Sequence, residues 1–181
     1  SVFDREINCR RAASAAFQEC VGRQGADNFK HGISILTAAD YFTLGNRTDA
    51  YTSVAFYIAG FEEYRQSIID YLYEDKLFHW DQEIRNLVSI SLRGLTKLDS
   101  MYFIDTVLPF LVQHATHENL FVRHGAVIGA AEIILALGEE PDGMLSAPDS
   151  LLSSISELTF SIEKARLYRG RGGEIMREGV S

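Results

Sequence analysis

Apolar residues recur along this chain with the spacing of helices, and sustained period-two alternation is missing. Ile84, Leu87, Val88, Ser91, Leu92, Leu95 and Leu98 follow the i, i+3, i+4, i+7 rule that lines one face of a helix. Ile104, Val107, Leu108, Leu111, Val112 and Ala115 do the same, as do Leu151, Leu152, Ile155, Leu158 and Ile162. Breakers separate the runs near Gly22 to Gly25, at Gly45-Asn46, at Gly60 and at Asp99-Ser100. The strongest break spans 138–150, where Gly138, Pro141, Gly143 and Pro148 mix with acids into a predicted acidic loop. The pattern predicts an all-α chain.

A second regularity lies above the helical one. Arg10, Arg47, Arg85 and Arg123 are spaced 37, 38 and 38 residues apart. Ala13, Ala50, Val88 and Ala126 follow three residues later, and Cys20, Tyr57, Leu95 and Ile133 ten residues later. Each unit reads as a hairpin of an outer A helix and an inner B helix. One hairpin cannot bury its stripe alone, so neighbours stack into an α-solenoid. The B helices are expected near 4–21, 47–60, 81–98 and 119–137, the A helices near 31–44, 62–77, 100–116 and 148–168. The upstream acids Asp4, Asp40, Asp81 and Glu118 are placed to cap B helices. The recurrent arginines are expected to bond to an acid or carbonyl of a neighbouring repeat, as a structural ladder.

This period belongs to the HEAT/armadillo class, whose repeats run ~40–47 residues. Pro109, within the helical stretch 105–114, should kink its helix, because proline removes one backbone donor. About four repeats are present, predicted to form a right-handed stack. The first and last B helices look cut, so 1–181 reads as a single HEAT-repeat segment truncated at both ends.

Composition adds exclusions. Hydrophobic residues make up 46% and charged residues 23%, as in ordinary globular chains. The formal charge of −8 argues against nucleic-acid partners. Acids outnumber bases twelve to six over 40–120, and 132–157 holds six acids and no base, whereas 1–31 and 163–178 are mildly basic. The longest apolar run, Ala126 to Leu137, is broken by Glu132 and falls short of the ~20 residues of a membrane span. No signal peptide is visible. Cys9 and Cys20, on one predicted helix, are too far apart for a disulfide at ~1.5 Å rise per residue, and a cytoplasmic setting follows.

Candidate chemistry is sparse. His114, His117, Glu118 and His124 do not have the spacing of a zinc motif. His79-Trp80-Asp81 lacks a nucleophile and reads as a turn with an N-cap aspartate. Arg169-Gly-Arg-Gly-Gly-Glu174 has no preceding strand and no Walker lysine, so it reads as a loop between helices. No catalytic, metal or cofactor residue emerges, and the chain reads as a non-catalytic scaffold. Concave solenoid faces are binding surfaces, so outward positions of the B helices are the expected partner contacts. These are Arg11, Gln18 and Glu19 on the first and Glu83, Asn86 and Arg93 on the third, with His79 and Trp80 beside them.

The run NCRRAASAAFQE at 8–19, followed by VGRQG at 21–25, closely resembles the central HEAT region of the tubulin-folding cofactor D family. The likeness continues through His31-Gly-Ile33, Ala39 to Phe42, Gly45-Asn-Arg47, Ile58 to Phe61, Glu63-Tyr64, His79 to Asp81, Arg123-His-Gly125 and Leu167 to Gly170. The acidic loop does not match closely. The resemblance implies a chaperone scaffold that captures β-tubulin and joins tubulin-folding cofactors C and E and an Arf-like small GTPase. It also implies assembly and disassembly of the αβ-tubulin dimer, stimulation of tubulin GTP hydrolysis by the complex, and a cytoplasmic, cytoskeleton-associated setting. It supplies no catalytic residue. The repeats alone fit equally a HEAT adaptor for other cargo, such as a transport receptor or phosphatase scaffold.

Overall fold

The computed structural model describes residues 1–25, 28–140, 143–170 and 172–180, and among these there is no strand. Pro141 and Asp142 of the acidic loop and Arg171 of the glycine-rich motif lie outside the described residues. Helices fill most of the expected spans, though the one expected over 31–44 stops at Ala38 and the first starts at Ile7: α1 Ile7–Gln24, α2 Gly32–Ala38, α3 over 47–59, α4 Glu62–Glu74, α5 Gln82–Thr96, α6 over 100–114, α7 Leu120–Glu139, α8 Asp149–Lys164 and α9 Gly173–Val180. The architecture is all-α, with antiparallel helical hairpins of armadillo-like type.

Two compact units, Ser1–Asp70 and Tyr71–Ser181, each have a core of their own. In the first unit Ile35, Ala39, Leu44, Ala50, Val54 and Ile58 form the core, with Phe17, Tyr64 and Ile68 packed against it. In the second, α5 and α6 pack on α7, and Ile84, Val88, Leu92, Leu95, Ile104, Leu108, Leu111, Ala126 and Ile133 are all about fully buried. The 3-10 turn Lys76–Phe78 also lies on α7. Gly125 makes that approach possible, since a Cβ there would sit 2.0 Å from the Leu77 carbonyl oxygen.

Several local expectations need correction. Asp81 does cap α5, accepting from the Glu83 amide at 3.0 Å. The caps of α3 and α7, however, are Asn46 and Asn119, not Asp40 and Glu118. An asparagine directly before the first helical residue reaches the N2 amide, which an acid farther upstream cannot. Leu95 and Ile133, ten residues after their arginines, are buried, but the matching Cys20 and Tyr57 are exposed, with Val21 and Ile58 buried beside them. In α3 the cause is a wide π turn at Ala50–Val54, which adds a residue and shifts the stripe by one.

A second π turn, Phe103–Val107, precedes Leu108–His114. There Pro109 offers no amide to the carbonyl four residues back, so the helix widens where the sequence predicted a kink. The acidic loop starts later than expected, because α7 continues to Glu139. By length and composition α7 could cross a membrane, contrary to the shorter run read from the sequence. Here it is the core helix of the second unit, more than half buried.

Candidate partner-binding surfaces

The turns that lead into the helices are built by arginines. Arg10, Arg85 and Arg123 each occupy the fourth position of their helix and are buried. A helical side chain leans toward the N-terminus, so each guanidinium folds back over the turn before its own helix. Arg10 Nη1 donates to the carbonyls of Asp4 (2.9 Å) and Arg5 (2.8 Å). Arg85 Nη1 donates to those of His79 (2.7 Å) and Trp80 (3.0 Å). Arg123 Nη1 donates to those of His117 (3.4 Å) and Glu118 (2.6 Å). In all three the acceptors stand six and five residues before the arginine, just outside the helix, where no helical amide reaches them.

The residue six before the arginine closes the turn from the other side. Asp4 Oδ1 accepts from the Glu6 amide at 2.9 Å, His79 Nδ1 from the Asp81 amide at 3.0 Å, and His117 Nδ1 from the Asn119 amide at 3.0 Å. This position was missed in the sequence because an acid was sought upstream at a drifting distance. The constant offset of six, with Asp or His, was the available signal.

Arg47 departs from the pattern. It is the first residue of α3, half-buried, with Ala50 at the fourth position. The turn before α3 is held instead from the preceding hairpin, by Arg10 Nε to the Leu44 carbonyl (2.9 Å) and Nη2 to that of Gly45 (3.2 Å). Arg85 likewise reaches onward, from Nε to Nδ1 of buried His124 at 3.1 Å, with its guanidinium 5.4 Å from the Phe121 ring centre. Arg123 Nε is buried and has no hydrogen-bond partner.

The expected partner contacts fall in both units. In the first, Gln18 and Glu19 are exposed, while Arg11 is held against Tyr41, its guanidinium 3.5 Å from the ring centre and its Nη1 2.9 Å from the hydroxyl. Arg11, Gln18, Ile33, Asp40 and Tyr41 border an open groove of about 360 Å³. Ile33 and Phe42, 70% and 84% exposed, are apolar surface side chains that sequence periodicity alone could not separate from core positions. In the second unit Trp80 is 57% exposed, and Glu83 and Asn86 face solvent. His79 is half-buried and committed to its turn.

Arg93 is tied to Glu132 at 3.2 Å and to Glu139, which also takes Lys97 at 2.9 Å. Hydrogen bonds from Lys97 and Arg93, with their charges, hold the Glu139 carboxyl down to about 2. Arg11 and Arg93 are thus engaged within the chain, as is Glu19 through Arg23, and Gln18, Glu19, Trp80, Glu83 and Asn86 are all exposed. Among the described residues no cluster of His, Cys, Asp and Glu has metal-binding geometry, and Cys9 and Cys20 are exposed free thiols.

A family profile described as "Tubulin-specific chaperone D-like, ARM repeats" matches residues 1–33. Tubulin-specific chaperone D of Dictyostelium discoideum is 37% identical over 99% of this chain. Tubulin-folding cofactor D of Schizosaccharomyces pombe is 30% identical over 74% of it. The chain spans 12% of the length of each of these relatives. No solved structure matches. Along almost its entire length the chain therefore resembles a stretch of tubulin-specific chaperone D.

Proposed function

We propose that this chain is a scaffold segment of a tubulin-folding chaperone. The likeness to tubulin-specific chaperone D, 37% identity across 99% of the chain, carries this reading. The finer expectations belong to the same proposal: contact with β-tubulin, with tubulin-folding cofactors C and E and with an Arf-like small GTPase, and participation in a complex that stimulates tubulin GTP hydrolysis. The fold supports the role through its surfaces. Hairpins held rigid by buried arginines present exposed side chains, and interfaces rest on a few aromatic and arginine anchors.

Trp80 on the lead-in to α5 and the exposed Ile33 and Phe42 are the proposed anchors, with Gln18, Glu19, Glu83 and Asn86 as polar surroundings. Arg11 and Arg93 act by shaping these surfaces, since each already has partners in the chain. The arginines at 10, 85 and 123 are proposed to be structural.

The test is retention of purified αβ-tubulin by the immobilised chain, alongside Trp80→Ala and Phe42→Ala variants checked by circular dichroism. Retained tubulin that is lost in a folded variant supports the reading. Recovery of transport-receptor or phosphatase subunits from lysate, with no tubulin, overturns it.

A further inference from the structure

The described Lys and Arg side chains are nearly all engaged. Arg5, Arg23, Lys30, Lys76, Arg93 and Lys97 pair with acids. Arg10, Arg65, Arg85, Arg123 and Arg177 bond to carbonyls, Arg11 lies on Tyr41, and Arg47 also has partners. Lys164, Arg166 and Arg169 differ. All three are exposed, and among the described residues no acid or carbonyl meets their side chains. In a chain of net charge −8 these cations stand together within six residues.

The backbone concentrates them. Helix α8 ends at Lys164 in a Schellman arrangement, with the Arg166 amide bonded to the Glu163 carbonyl (2.8 Å) and the Leu167 amide to that of Ile162 (3.2 Å). The left-handed position of this motif is ordinarily glycine, yet it is filled by Arg166 at φ 58°. A residue with a Cβ is strained there, and such strain, kept only where the surrounding structure over-determines it, gathers at binding and active sites. The Arg169 amide then bonds to the Arg166 carbonyl (3.1 Å), a turn that brings these two residues close. Phe160, 66% exposed, precedes Lys164 by one helical turn on the same face. Attraction to the helix C-terminus accounts for Lys164, but not for an arginine in a glycine position or for Arg169 beyond the helix.

We propose that Phe160, Lys164, Arg166 and Arg169 form a docking site for an acidic peptide segment of a partner, with carboxylates on the arginines and an apolar side chain on Phe160. Arginine forks suit carboxylates. A short peptide can stay on so small a patch, within about a Debye length of its cations, whereas a membrane or nucleic acid extends past it over the rest of a chain of net charge −8. This inference does not rest on the tubulin-folding reading.

Fluorescence anisotropy of the whole chain with a short labelled glutamate-rich peptide bearing one central leucine tests it. The glutamine counterpart of the peptide, phosphatidylserine–phosphatidylcholine vesicles and a single-stranded RNA serve as competing probes. Binding of the acidic peptide should weaken about tenfold or more in the triple variant Lys164→Glu, Arg166→Glu, Arg169→Glu. Arg166→Gly should raise the melting temperature, by relieving the strain, and still weaken binding. Equal binding by the triple variant, equal binding of the glutamine peptide, or tighter binding of vesicles or RNA overturns the proposal. So does Arg166→Gly that keeps full affinity.

Discussion

Arg85 on α5 donates from Nε to Nδ1 of His124 on α7, 3.1 Å away, and both side chains are buried. The contact joins consecutive hairpins of the second unit and fixes the imidazole as neutral, with Nδ1 the acceptor. Burial first, and the neighbouring Arg85 charge second, lower the His124 pKa from 6.5 to about 4. In this pH window the unfolded chain therefore holds one more proton than the folded one. The stabilisation is complete above about pH 6.5 and is lost as pH falls toward 4, by up to about 3 kcal/mol. Urea midpoints across this range should show a steeper acid fall for the parent chain than for His124→Gln. Parallel curves would remove His124 from the account.

Arg10 serves two lead-in turns, its own and that of α3. Arg10→Ala should cost about 2–4 kcal/mol, since charged hydrogen bonds are lost and buried carbonyls are left without donors. Arg10→Lys should recover only part of this, because an ammonium cannot span both turns. Chemical denaturation measures both. A loss no larger than that of an exposed substitution would show that water replaces the guanidinium.

Leu92 is fully buried on α5 and Leu152 only half-buried on α8. Leu92→Ala should cost about 2–5 kcal/mol, while Leu152→Ala should cost clearly less, because the cost follows the methyl groups removed from a closed environment. Equal shifts would mean that the two stripes are equally packed in solution.

Glycines at two positions should respond oppositely to alanine. Gly125→Ala forces a Cβ to within 2.0 Å of the Leu77 carbonyl oxygen and should destabilise by about 3 kcal/mol or more. Gly22→Ala meets nothing within 4 Å on exposed α1 and should stabilise by about 0.5–1 kcal/mol. Thermal melts of the pair provide the comparison, and a stable Gly125→Ala chain would contradict the close approach of the 76–78 turn to α7.

The class of fold was legible along the chain alone, because a helix stripe repeats every three to four residues whatever it packs against. The runs at 84–98 and 104–115 therefore gave their helices directly, and the 38-residue period marked the hairpins. It also marked Arg10, Arg85 and Arg123, since a buried guanidinium needs the same surroundings in each repeat. The tertiary structure decided what depends on neighbours distant in the chain. It brought Arg10 onto the lead-in turn of α3, because α3 begins at Arg47 and places Ala50 at the fourth position that an arginine fills in the other three helices. It turned Tyr57 outward through a π turn that no local composition announces. It occupied Arg11 and Arg93 with Tyr41, Glu132 and Glu139, contacts set by residues 30 to 46 positions away. And it left Lys164, Arg166 and Arg169 without an ion-pair or carbonyl partner among the described residues, because whether a charged side chain has a partner is settled by which helix ends meet, not by the charge of the segment that carries it.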